Sequence, residues 1–295
     1  MNAGLTRPNP WLLWGGISLM TVIWTLNPIA GKIAMRDFPP MLLVALRTAA
    51  SGAMIGAVLW FKRRSQPKVA GKDWLLLLFF GVGLQVGNQI AFINGLGRTS
   101  VAHTAFVYAL TPILVLALAS YRGQEGFRAR KLFGMVICIF GVMLLVRDQA
   151  GGEATPLGDA IVFVGIIMFS CFTVFGKELQ VRYGGVLLNA FAYMAGGIVL
   201  QPVVWLGYPD FDFPGVAWQS WAALSYMAAG PAVLGYLIYY WALSHVPASR
   251  VAAMQYLHPP LATGFSALFL GETVTLTLGI AGATILLGVF LTERG

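Results

Sequence analysis

Trp74–Leu96 reads WLLLLFFGVGLQVGNQIAFINGL: 23 residues with no charged side chain. About 20 apolar residues at ~1.5 Å each are needed to cross ~30 Å of hydrocarbon, so this stretch is read as a membrane-spanning helix. It does not alternate apolar and polar over ~10 residues, as a barrel strand would. Its exception lies near its middle, where Gln85, Asn88, Gln89 and Phe92 follow one another at i, i+3, i+4 and i+7 and share one helical face. A polar stripe at that depth is costly unless it faces protein or water. This one segment therefore sets two expectations, a helical membrane bundle and a polar cavity inside it.

Working outward, the same reading yields ten apolar runs: 11–35, 41–61, 74–96, 101–121, 130–146, 157–176, 186–207, 219–243, 249–270 and 275–291. The first is too long for a signal-peptide core and is read as a retained span. Composition agrees. The chain is 58% hydrophobic and only 10% charged, with mean hydropathy +0.76 and 35 glycines. Soluble domains carry ~25% charged residues. A water-soluble enzyme, a disordered chain, a disulfide-stapled domain and a nucleic-acid binder are excluded at this level. The net charge of +8 is read as membrane orientation rather than a polyanionic partner. With the N-terminus inside, inner loops hold 14 Lys and Arg and outer loops three (Arg36, Arg98, Arg147), which predicts both termini in the cytoplasm. Cys138 and Cys171 each lie within an apolar run and are expected to be small buried hydrophobes.

The chain is also written twice. Gly31-Lys32 moved forward by 145 lands on Gly176-Lys177, and Leu110-Thr111-Pro112 moved by 147 lands on Leu257-His258-Pro259. The second shift also carries Leu96 to Leu243, Glu125 to Glu272 and Gly141 to Gly288. Each half holds five spans, an odd number, so the halves must cross in opposite senses. The expected fold is all-α and integral to the membrane: ten transmembrane helices as two inverted-topology repeats, residues 11–147 and 157–292, with a shared midplane site.

The stretch from Trp241 through His245, Pro247 and Ser249 to Pro259, then Gly271-Glu272-Thr273, Gly282 and Gly288, resembles the second EamA domain of the drug/metabolite transporter superfamily. The first half is similar but weaker: Gly31-Lys32, Arg47, Pro112, and then Glu125, where a Gly-Glu pair would be expected but Gln124 intervenes. The resemblance spans essentially the whole chain. It implies a bacterial-type inner-membrane exporter of amino acids, aromatic ones included, or of related metabolites.

Equivalent spans of the two halves supply the candidate substrate-binding residues. They are Trp24 and Asn27; Gln85, Asn88 and Gln89; Tyr108 and Thr111; Ser170; Tyr236 and Tyr239; Gln255 and His258. Aromatic walls with a few polar groups suit a ligand with an apolar body and a charged end. The bland alternative is interhelical bonding worth ~1 kcal/mol or less. Tyr239 also has the alternative of an interfacial aromatic belt. Arg47 lies seven residues, ~10 Å, inside the second run. It has three readings: snorkelling to headgroups, pairing with a buried partner, or meeting a substrate carboxylate. Lys32, nearer its span end, is expected to snorkel, and Glu125 and Glu272 to cap or pair. Pro28, Pro112, Pro231 and Pro259 sit at mid-span and are candidate hinges, with packing kinks as the alternative.

Enzyme chemistry finds no support. There is no HExxH, the three histidines are isolated, and all eleven acids fall in loops or at span ends. No cofactor or metal is expected. The expectation is a small-molecule exporter in the lipid bilayer, a monomer or weak homodimer, working by alternating access down the substrate gradient. A proton-coupled metabolite or drug carrier of the same fold is the alternative, with His258 as its titratable candidate; a membrane-embedded enzyme or scaffold is the alternative from another class.

Overall fold

The computed structural model describes residues 9–62, 67–99, 101–124, 129–149, 155–258, 260–262, 265 and 276–293. Among these residues every regular element is helical. The helices are α1 (Pro10–Ala34), α2 (Pro40–Lys62), α3 (Gly71–Leu96), α4 (Val101–Tyr108), α5 (Thr111–Tyr121) and α6 (Ala129–Gln149). They continue with α7 (Pro156–Phe175), α8 (Lys177–Tyr183), α9 (Gly185–Gly207), α10 (Trp218–Leu243), α11 (Ala248–Ala253) and α12 (Leu276–Glu293). Six of them, α1, α2, α3, α7, α9 and α10, are long and apolar enough to cross a membrane; α5 and Gly279–Thr292 of α12 are shorter apolar helices. Trp60, Phe61, Leu75, Ile198 and Leu206 stand exposed, as side chains facing lipid would.

Local chemistry sets the boundaries. The Asn9 side chain accepts from Trp11 N and the Thr155 side chain from Gly158 N, each capping a helix that opens with proline. The run expected to be continuous over 101–121 is broken instead: α4 ends at Tyr108 and α5 restarts at Thr111. Pro112 has no N–H for the Tyr108 carbonyl, and its ring clashes there, so the helix stops and begins again. The ninth run likewise passes from α11 into a 3-10 turn at Met254–Leu257. Pro259, Glu125 and Glu272 lie outside the described residues. One element was not anticipated, the short helix α8. Gly184, at φ 81°, ends it in a conformation that suits only glycine and turns the chain into α9. Both α3 and α10 contain a π-helical stretch, Phe79–Val86 and Gly230–Gly235 respectively.

The helices pack in a recurring pattern. α6 lies along α12, α2 along α9 and α5 against α11, while the later half of α3 packs on α7, and α1 on α10. Small residues make the closest of these approaches possible. A Cβ on Gly288 of α12 would lie 2.7 Å from the Gly134 carbonyl oxygen, and one on Gly141 of α6 would lie 3.1 Å from that of Ala281. Where lipid supplies no hydrophobic drive between helices, such backbone proximity is the main source of attraction.

Polar clasps tie the helix ends. At one end, Asp37, after α1, accepts from Ser220 Oγ at 2.6 Å and from the Ala217 amide at 3.3 Å, before and within the start of α10. Lys32 was expected to snorkel; instead its Nζ donates to the Thr99 carbonyl at 2.9 Å, because the α3–α4 link brings that acceptor within reach. Thr99 in turn donates to Asp159 of α7 at 2.5 Å. At the other end, buried Asp73 of α3 accepts from Arg182 at 2.6 Å and from Tyr183 at 2.5 Å, both of α8. Arg122 and Glu178 form an exposed ion pair there at 2.7 Å.

Candidate functional site

A cavity of about 70 Å3 lies inside the bundle, in the half nearer Lys32 and Thr99. α1 lines it with Trp24, Thr25, Asn27 and Pro28, α2 with Arg47, and α3 with Asn88, Gln89 and Phe92. α4 adds Val101, Thr104, Ala105 and Tyr108; α7 adds Phe169, α10 adds Pro231 and Tyr236, and His258 and Ala262 complete it. Both halves of the chain contribute. The volume holds a few waters and is well below the ~300 Å3 of an ordinary ligand pocket. A metabolite-sized guest therefore requires the walls to part.

Rings form the floor. Trp24 packs edge-on to Phe169 and Tyr236, at centroid distances of 6.0 and 5.4 Å, and tilted on Tyr239 at 5.2 Å. Its Nε1 donates to the Pro231 carbonyl at 3.2 Å, joining α1 to the π-helical stretch of α10. Beneath, Thr173 Oγ1 and Tyr239 OH lie 2.6 Å apart.

The amide face of α3 divides. Asn88 and Gln89 line the cavity with Phe92, but Gln85 does not. Gln85 donates to Asn189 Oδ1 at 3.0 Å and accepts from Tyr240 OH at 2.7 Å, so it joins α3 to α9 and α10 below the floor. The i, i+3, i+4 reading assumed regular α-helical phase. Gln85 falls in the π-helical stretch, whose wider turn rotates it away from its neighbours.

Other expected site residues separate in the same way. Thr111 and Ser170 are fully buried, and each hydroxyl oxygen has no hydrogen-bond partner among the described residues, but neither lines the cavity. Tyr239 is fully buried against the floor, which is not where an interfacial belt residue would sit. Gln255 is in the 3-10 turn, and its side chain lies outside the described residues. Pro28 and Pro231 line the cavity, while Pro112 is buried in the first turn of α5. Phe169 was missed by the sequence reading. The signal for it was present, since it stands 145 residues after Trp24, the same offset that relates Lys32 to Lys177.

Arg47 is the strongest polar feature. It is only 2% exposed, so it does not snorkel. Its Nε and Nη1 are buried with no hydrogen-bond partner among the described residues. Among the described residues, Tyr193, Tyr236 and Tyr108 are the ionisable groups around it, and none of these is a carboxylate. A guanidinium held this way is costly to bury, and it is suited to a bidentate bond with an arriving carboxylate. Asn27 Oδ1 is a buried acceptor that likewise has no partner among the described residues. No group of three or more His, Cys, Asp or Glu that could hold a metal occurs among the described residues.

Relatives of known sequence share this length and pattern. An uncharacterized transporter of Archaeoglobus fulgidus is 27% identical over 285 residues, covering 94% of this chain and 95% of its own. The uncharacterized transporter YoaV of Bacillus subtilis is 26% identical, covering 94% of each chain. A probable amino-acid metabolite efflux pump of Salmonella typhimurium is 23% identical, covering 94% of this chain and 93% of its own. A solved crystal structure shares the fold, with TM-score 0.78 at 19% identity over 97% of this chain and 98% of that one. The EamA-like transporter family matches twice, at residues 10–147 and 156–294. The chain is a multi-pass membrane protein and belongs to the EamA-like transporter family.

Proposed function

We propose that this transporter exports amino acids with aromatic or branched apolar side chains, by alternating access and down the substrate's own gradient. The observation that carries the reading is the buried Arg47 guanidinium, whose Nε and Nη1 have no hydrogen-bond partner among the described residues, in a cavity walled by Trp24, Phe92, Phe169 and Tyr236. In this reading Arg47 meets the substrate carboxylate, Asn27 Oδ1 the ammonium, and the rings the side chain. The name of the Salmonella typhimurium relative, a probable amino-acid metabolite efflux pump, is in keeping with it.

The architecture proposed is ten spans in two inverted five-helix halves, in a bacterial-type inner membrane with both termini cytoplasmic. The packing pattern supports it. Exchanging the halves maps α6·α12 and α2·α9 onto themselves and turns the α3·α7 contact into the α10·α1 contact. The exchange also relates the π-helical stretches of α3 and α10. The end clasps correspond as well: Asp73 with Arg182 and Tyr183 at one end takes the place of Ser220 with Asp37 at the other, at offsets of 146 and 147. A molecule that swaps the conformations of its halves would open one clasp while closing the other.

The test is efflux from proteoliposomes loaded with an amino-acid panel at matched internal and external pH. Phenylalanine, leucine and their like should leave faster than from protein-free vesicles. No efflux of any of them rejects the reading. Proton coupling is the second reading, favoured by the place of His258 in the cavity wall. A required pH gradient, abolished by His258→Gln, would assign the coupling to that residue.

A further inference from the structure

We infer that Tyr108 and Tyr236 complete a carboxylate receptor with Arg47, and that the amides of Asn88 and Gln89 set the polarity of both hydroxyls. The inference rests on the amino-acid reading above for its biological substrate, and on geometry for its chemistry.

The argument begins at a backbone carbonyl. Asn88 has an amide atom 2.9 Å from the Gly165 oxygen. A carbonyl oxygen can only accept, so that atom must be Nδ2, and the orientation of the amide follows. Oδ1 then faces Gln89, whose amide atom 3.0 Å away must be Nε2. Each nitrogen carries two hydrogens. The second hydrogen of Asn88 goes to Tyr108 OH at 3.3 Å, and the second of Gln89 to Tyr236 OH at 3.1 Å. All four N–H bonds are thereby committed.

Each phenol thus accepts from an amide. Neither donates its own proton to any described residue, and both hydroxyl-bearing residues line the cavity with Arg47. Tyr240 shows the contrast: its hydroxyl donates to Gln85 Oε1 and is used up below the floor. The cavity therefore presents the guanidinium and two O–H donors, without an acidic side chain among its described lining residues. Such a set stabilises an oxyanion, because hydrogen bonds to charged acceptors are about twice as strong as those between neutral groups. It discriminates against the same molecule with its carboxylate converted to an amide, whose NH2 would meet donors, and against the decarboxylated amine.

The test uses purified protein and four probes: benzoate, L-phenylalanine, L-phenylalaninamide and phenethylamine. Binding is read directly by calorimetry, and transport by efflux of L-phenylalanine. Wild type should bind benzoate and L-phenylalanine and reject the amide and the amine. Tyr108→Phe and Tyr236→Phe should each weaken carboxylate binding about tenfold or more, the worth of one hydrogen bond to a charged group. The already weak binding of the amide should not change, so the carboxylate-to-amide ratio falls. Gln89→Glu should be worse than Tyr236→Phe, since a carboxylate at 89 takes the Tyr236 proton and adds negative charge. A ratio unchanged in both Phe variants overturns the receptor, even if L-phenylalanine is still transported. Benzoate binding that shows the predicted losses, with no amino-acid efflux, upholds the receptor and overturns the amino-acid reading alone. Wild type binding neither carboxylate overturns both.

Discussion

Arg47→Met is expected to make the protein more stable and unable to carry substrate. Methionine is unbranched and adaptable and fills much of the arginine volume, so little packing is lost. What disappears is a guanidinium that is 2% exposed and has two nitrogens, Nε and Nη1, without partners among the described residues. A buried polar group left unbonded costs ~1–3 kcal/mol, and more when charged. Two such atoms therefore represent ~2–6 kcal/mol of strain in the empty site. Water in the cavity recovers part of this, so a net gain of ~2 kcal/mol is the expected order of magnitude. The assay is thermal unfolding in nanodiscs with and without a saturating amino acid, beside efflux on the same preparation. Wild type should melt lower when empty and be raised by ligand, because binding the folded state alone stabilises it. Arg47→Met should melt higher when empty, show no ligand-dependent rise and give background efflux. A variant that melts lower than wild type and still transports would refute the reasoning, and would make Arg47 a structural residue with a partner.

Three further outcomes are expected. Gly288→Ala should force α12 away from α6, because its Cβ would lie 2.7 Å from the Gly134 oxygen, a backbone atom that cannot rotate aside; the cost is ~1–3 kcal/mol, read as a lower melting temperature at unchanged substrate preference. The clasp variants Asp37→Asn and Asp73→Asn should shift the opening of the bundle in opposite directions, measured as opposite changes in alkylation of single cysteines placed at the two ends; equal changes would refute the pairing of the clasps. Cysteines at 68 and 210 should be labelled from the cytoplasmic and the external side respectively, and the reverse pattern would overturn the orientation.

Much of this protein was readable from short-range features. Span length and hydropathy depend on residues adjacent in the chain, so the membrane helices of 11–35, 74–96, 157–176 and 219–243 were placed to within a few residues of α1, α3, α7 and α10. The break before Pro112 was missed although the proline was noticed. A mid-span proline can be absorbed as a kink or end the helix, and packing of the neighbouring helices decides between them. Asn88 and Gln89 were legible as a polar face, and Arg47 as a buried charge with three possible roles.

Sequence alone determined the class of the molecule, the near-duplication of its halves and the residue types available for a site, because hydropathy, charge and repeat offset are properties of the chain in order. Tertiary structure decided which of those residues share a cavity. The phase of a helical face is lost wherever a π-helical stretch intervenes, as it does between Gln85 and Asn88. It also decided that Arg47 does not snorkel and meets no carboxylate among the described residues, since the groups that surround it come from helices distant in sequence. Even the direction of two hydroxyl protons follows from one carbonyl, that of Gly165, contributed by the opposite half of the chain 77 residues from Asn88. Hydrogen-bond polarity passes through space from partner to partner, and only the packed bundle brings those partners together.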